Sequence, residues 1–187
     1  MSARRRLRFH KVVFRLGVVA LLALSVQVIA IRAPLGDDDL PRRILLVISY
    51  TLLLAFIGAN VNRIGIVVIG AGLLLNFVAI VANGGLMAIT PETVLKTGSL
   101  PHYAVVGEWL PGTKDILLER EDVHLWFFTD RLTWDAISSV FRAFSIGDVI
   151  IVAGLAVTLL DLLLPRLVRA ADDQAIPAAS RENGNLP

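Results

Sequence analysis

GIVVIGAGLLLNFVAIVANGG, residues 65–85, is an apolar run of helix length without a charged side chain. Five small or amide residues in it, Gly65, Gly72, Asn76, Ala79 and Asn83, recur at steps of seven, four, three and four. Such steps place all five on one face of an α-helix. The remaining faces are Ile, Val, Leu and Phe. The run therefore reads as a membrane span that shows lipid its branched side chains and offers its neighbours a notched face able to hydrogen-bond.

The composition agrees. Of 187 residues, 56% are hydrophobic and 18% charged, and the mean hydropathy is positive. Soluble domains carry about 45–50% apolar and about 25% charged residues. The absence of cysteine excludes disulfides, thiolate zinc sites, iron–sulfur clusters and c-type haem attachment. Arg4, Arg5, Arg6, Arg8, Lys11 and Arg15 all precede the first acidic residue, which sets membrane orientation rather than pointing to nucleic acid.

Working along the chain, residues 12–31 form a first apolar span behind a basic arm, with a cleaved signal peptide or a twin-arginine address as competing readings. Residues 32–43 make a turn-rich acidic loop with Pro34, Asp37, Asp38, Asp39 and Pro41. A second span covers 44–61. The tight turn Asn60–Arg63 makes it an antiparallel neighbour of the third, 64–83. A long loop, 84–145, holds Trp109, Trp126 and Trp134 interleaved with acids and is expected to lie on the outer surface as short amphipathic helices. Within it, Thr90, Pro91 and Glu92 open a short helix that Gly98 would end. Trp134, Ile137, Phe141 and Phe144 share a helical face leading into the fourth span, 146–164, which Pro165 is expected to stop. The predicted fold is thus an all-α domain of four transmembrane helices over 1–169, followed by a disordered tail, 170–187. Basic residues at both ends and Arg63 between spans two and three place both termini in the cytoplasm, in a multi-pass inner (plasma) membrane protein.

Three constellations could carry chemistry. Asn76 and Asn83 must satisfy their amides, either as interhelical hydrogen bonds or by gripping a polar ligand. Ser145 and Asp148 match a capping box at the start of the fourth span. At the depth where spans three and four both meet the outer surface, Asp148 is expected beside Asn83, Gly84 and Gly85, forming a small polar pocket. A second stripe, Gly147, Gly154, Thr158 and Asp161, complements the first for helix packing, and Asp161 could pair with Arg15 or Arg63. His102 and His124 have no metal-site spacing, so no metal or cofactor is expected, and no catalytic motif is visible.

The run Gly72–Phe77, then Asn83, Gly84, Gly85 and Met87, and Ser145, Gly147 and Asp148, resembles the uncharacterised bacterial membrane protein family known as domain-of-unknown-function family 5317. Thr129, Asp130, Arg131 and Leu132 are a loose counterpart of its loop element. The resemblance implies a conserved Asn-bearing span and an Arg and a Pro where this chain has Leu86 and Ala88; if that Arg recognises a ligand, this chain lacks the contact. The family implies no activity. The leading function is an accessory or structural subunit partnered by other membrane proteins in the lipid bilayer, motivated by the two stripes, an aromatic outer loop suited to lying on a partner and the lack of a catalytic motif; the alternative is a small-ligand binding or transport module with its pocket at the outer ends of helices three and four. An enzyme acting on a lipid-borne substrate comes third.

Overall fold

A computed structural model describes residues 15–36, 38–97, 104–134 and 143–182, with the backbone path alone from 165 on. The elements are α1 (Gly17–Arg32), α2 (Leu40–Ala59), α3 (Ile64–Ala82), β1 (Met87–Ile89), α4 (Pro91–Lys96), β2 (Asp115–Leu117), a 3-10 turn (Trp126–Phe128) and α5 (Ile146–Glu182). Among the described residues, three helical segments are long and apolar enough to cross a membrane: Leu40–Ala59, Ile64–Ala82 and Ile146–Leu164. They point to a membrane protein. The apolar helix α1 has 16 residues, about 24 Å at 1.5 Å per residue, somewhat less than a hydrocarbon core of about 30 Å.

The helix boundaries differ from the expected spans for local reasons. Leu16 is left-handed, with φ 57°, so α1 opens at Gly17 rather than near residue 12, and residues 12–14 lie outside the described ones. Just before it, the Arg15 N–H donates to Asn60 Oδ1 at 2.9 Å, and Asn60 Nδ2 donates to the Arg15 carbonyl at 2.8 Å. Arg15 is therefore clamped to the α2–α3 turn ahead of the helix instead of lying inside it. α2 begins at Leu40 rather than 44 because Pro41 sits in its first turn, where the missing N–H costs nothing. Pro165 does not stop α5. An internal proline forfeits one hydrogen bond and bends a helix without ending it. The alanine-rich sequence beyond favours helix, so the tail expected to be disordered is helical to Glu182.

α3 is the central element. It packs most extensively on α5 and also on α2, while α1 lies along α2. Its buried face is Gly65, Ile66, Gly70, Gly72, Leu73, Asn76, Ala79 and Ile80. Against it stand Leu46, Tyr50, Leu53 and Ile57 of α2, and the Tyr50 and Phe77 rings stack at 6.4 Å between centroids. α1 is held to α2 by polar ties as well: Ser49 Oγ donates to the Ala23 carbonyl at 2.9 Å, and Arg42 donates to the Ala30 carbonyl while lying 3.5 Å from the Trp109 ring centre.

Besides α4 and the 3-10 turn, the described residues of the loop after α3 form a small buried sheet. β1 and β2 pair in parallel, Met87 with Asp115, Ala88 with Ile116 and Ile89 with Leu117, and all six residues are buried. The sheet joins the helix core through Leu86, Met87 and Ile116, while Ile89 and Leu117 build a second core with Val94 and Leu110. A strand buried on both faces has no alternation to betray it, which is why a three-residue strand escapes sequence periodicity. α4 does open at Thr90, whose Oγ1 accepts the Thr93 N–H at 3.3 Å. Gly98, His102 and the expected helix through Ile137 and Phe141 lie outside the described residues.

Candidate functional site

The site is built on the α3–α5 seam. A methyl group added at Gly65 would lie 2.7 Å from the Thr158 nitrogen, at Gly72 2.9 Å from the Ile151 nitrogen, and at Gly154 2.6 Å from the Ile69 nitrogen. Each meets backbone, which cannot swing aside, so the two helices touch main chain to main chain along these four glycine and threonine positions. The pairing also fixes relative height. Gly147, the second residue of α5, lies against Gly72 and Asn76, whereas α3 continues to Ala82. α5 thus starts roughly 10 Å, seven residues at 1.5 Å, below the end of α3.

That step places the start of α5 at Asn76. Asn76 Nδ2 donates to Asp148 Oδ1 at 2.7 Å and its Oδ1 accepts from Ser145 Oγ at 2.7 Å. Ser145 and Asp148 in turn cap each other: the Ser145 N–H donates to Asp148 Oδ2 at 2.9 Å and the Asp148 N–H to Ser145 Oγ at 3.0 Å. This is a capping box with aspartate as its acid. Asn76 and Ser145 are both fully buried. Gly147 makes the approach feasible, since a Cβ there would fall 2.7 Å from Asn76 Cγ.

The loop lowers three more charges towards this triad. Gly112, with φ 77°, turns the chain between Trp109 and Thr113, and Trp109 Nε1 closes the turn by donating to the Thr113 carbonyl at 2.8 Å. Lys114 follows, its carbonyl accepting the Met87 N–H at 3.0 Å, and Asp115 begins β2. The Asp130 N–H donates to the Ala88 carbonyl at 3.3 Å. β1 therefore acts as a common ruler for both parts of the loop. Lys114 Nζ reaches Asp130 Oδ2 at 2.5 Å and Asp115 Oδ1 at 3.8 Å, while Asp115 and Asp130 are 6% and 2% exposed. Asp148 and Tyr50 both favour the charged form of Lys114. Burial pushes the Asp115 and Asp130 carboxyls above the ordinary range against the pull of Lys114. Burial works to lower the Lys114 ammonium, but Asp130, Asp115, Asp148 and Tyr50 outweigh it and hold it well above its ordinary value.

Among the described residues Asp148 does not stand beside residues 83–85, because the step between helix ends puts it at Asn76 and leaves Asn83 about two turns higher. Asn83 is spent on backbone: Nδ2 donates to the Ala79 carbonyl at 2.7 Å and the His124 carbonyl at 2.9 Å, and Oδ1 accepts the His124 N–H at 2.9 Å. Gly84 and Gly85 form a left-handed turn, φ 74° and 99°, against Arg43, whose Nη1 donates to the Gly84 carbonyl at 2.8 Å. Ala79 is fully buried in the helix core. Asp161 is exposed, and the ion pairs among the described residues involve Lys96 and Lys114 rather than Asp161. Among the described residues no group of three or more His, Asp or Glu is placed to hold a metal ion.

The sequence reading misses Lys114, Asp115 and Tyr50, and includes Asp130 only as part of the loose loop element. Lys114 and Asp130 are 16 residues apart, with no spacing rule to join them.

A family model described as a family of unknown function, DUF5317, matches residues 11–160. The chain belongs to this family. Among curated proteins and among solved structures, none matches the chain. The DUF5317 match takes in every residue of the cluster. Leu86 and Ala88, the two positions where the resemblance implies Arg and Pro, are both fully buried in this DUF5317 protein, with apolar side chains filling them.

Proposed function

We propose that this protein is a multi-pass inner-membrane protein of bacteria with four spans, α1 to α3 and the first part of α5, and both termini in the cytoplasm, and that it works as a small-ligand binding or transport module. The site is the cluster of Lys114, Asp115, Asp130 and Asp148 with Asn76, Ser145 and Tyr50. One observation carries the proposal: one ammonium and three carboxylates converge where α3, α5 and the loop meet, two of the carboxylates almost wholly buried. Burying an ion costs several kcal/mol even after relaxation, and apolar residues of equal volume serve stability as well or better. Buried ionisable groups at the level of a membrane bundle instead mark binding and conduction sites. The stripes that in part motivated the accessory-subunit alternative face each other along the α3–α5 seam, which leaves that reading to the aromatic loop.

Two experiments test this. Purified protein in mild detergent is screened by thermal shift against small ions and polar compounds, alongside Asp130→Asn and Lys114→Met. Stabilisation of the parent that folded variants lack supports the site; equal shifts in the variants, or no shift with any compound, overturn it. For topology, the cysteine-free chain allows single cysteines at Val61 and Gly107, both exposed. A membrane-impermeant maleimide applied to intact cells labels Gly107→Cys and not Val61→Cys if the four-span arrangement holds.

A further inference from the structure

The cluster is short of positive charge. One lysine faces three carboxylates, leaving two negative charges in a buried region. Asp148 needs nothing more: its oxygens already accept N–H donors from Asn76 and Ser145. Lys114 is committed to Asp130 Oδ2. What is left over is specific. Asp115 Oδ1 and Asp130 Oδ1 are both buried without a hydrogen-bond partner, on carboxyl groups that flank one ammonium, Lys114 Nζ, at 3.8 Å and 2.5 Å. Two ionised carboxylates can only accept, so in that position they repel. A single proton turns one of them into a donor and satisfies both.

We propose that the ligand of this site is the proton, held between the Asp115 and Asp130 carboxyl groups and exchanged from the side of the outer loop. The proposal rests on the reading of the cluster as a binding site and names its ligand. The titratable and charged groups facing the pair are Lys114 beside it on the loop, Asp148 from α5 and Tyr50 from α2; α3 contributes the neutral Asn76 and β1 no titratable side chain. Lys114, about one-fifth exposed, forms the border with solvent, across which the proton comes and goes. Burial displaces both carboxyls in the direction that favours the protonated form.

The test is infrared difference spectroscopy on the full chain in detergent, titrated upward from pH 5 in choline chloride. The expected result is a protonated carboxylic-acid C=O band at neutral pH that disappears at higher pH and is missing from Asp115→Asn or Asp130→Asn, whichever folds. Asp148→Asn removes a neighbouring negative charge, so it retains the band and loses it at lower pH than the parent. No such band in the parent at neutral pH, or a band unaffected by both pair variants, overturns the proposal. A second arm replaces choline with sodium at high pH. If sodium raises the melting temperature of the parent and not of Asp130→Asn, while the band is absent, the site binds a metal cation and only the proton assignment fails. If neither proton nor sodium has an effect but another compound stabilises the parent selectively, the site stands with a different ligand. If nothing does, both readings fall.

Discussion

Replacing Gly147 by alanine adds a single methyl group at a close approach of α3 and α5. The new Cβ would lie 2.7 Å from both Asn76 Cγ and the Gly72 carbonyl oxygen, closer than real Cβ contacts. The carbonyl belongs to a helix and cannot turn away, so relief comes either from separating α3 and α5 or from expelling the Asn76 side chain. Overpacking of this kind costs about 1–3 kcal/mol. Loss of the Asn76 to Asp148 hydrogen bond, to a charged acceptor, adds about 1.5–3 kcal/mol. A gain in helix propensity of at most about 1 kcal/mol works the other way. The net expectation is a loss of roughly 2–4 kcal/mol, on the order of 10 °C in melting temperature for a chain of this size. The internal control is Gly58→Ala, also a helical glycine, with nothing within 4 Å of the added Cβ; it should melt at or slightly above the parent temperature. Thermal unfolding followed by tryptophan fluorescence in detergent measures both. Equal melting temperatures for the two variants would refute main-chain contact between α3 and α5 at Asn76.

Lys114→Met leaves Asp115, Asp130 and Asp148 without their cation and should cost about 3–5 kcal/mol, as for any buried pair broken on one side; adding Asp130→Asn should recover much of that loss, read by the same melting assay as a coupling between the two sites. Because folding raises the Asp115 and Asp130 carboxyls above their unfolded values, the native state holds more protons than the unfolded one between those values. Stability is therefore greatest near the ordinary carboxylate range and falls as pH rises through the raised one, by up to about 1.4 kcal/mol per pH unit for each proton retained; a melting temperature that climbs across that window would contradict this sign. Asn83→Ala removes the two hydrogen bonds that pin residue 124 to the end of α3, so limited proteolysis should cut the loop near His124 many-fold faster while the helices stay protected, and an unchanged rate would count against Asn83 as the anchor.

What the sequence discloses and what it hides divide along physical lines. The helices are legible because a stripe of Gly65, Gly72, Asn76 and Ala79 repeats at helical spacing, and the Ser145–Asp148 box because it is local. Relative height is not local. Nothing in the sequence states that Gly147 meets Gly72, and matching helix ends by topology alone puts Asp148 against the wrong asparagine. Prolines mislead for a similar reason: Pro41 begins a helix and Pro165 lies within one, and neither outcome follows from proline chemistry without its neighbours. The charged cluster is the least legible part. Its members come from separate elements and are brought together by β1, a strand of three residues whose all-buried pattern carries no period.

The step between the end of α3 and the start of α5 bears on how such a protein can be made. Lys114, Asp115 and Asp130 all belong to the segment between those helices, and none interrupts an apolar helix. None of these three charges would weaken the insertion of an apolar helix into lipid during synthesis. The charges would then reach their buried position afterwards, when the loop settles into the recess left by the lower start of α5. Biogenesis and site assembly become successive events, and a defect in the loop would yield a correctly inserted but unfurnished bundle rather than a protein that fails to enter the membrane.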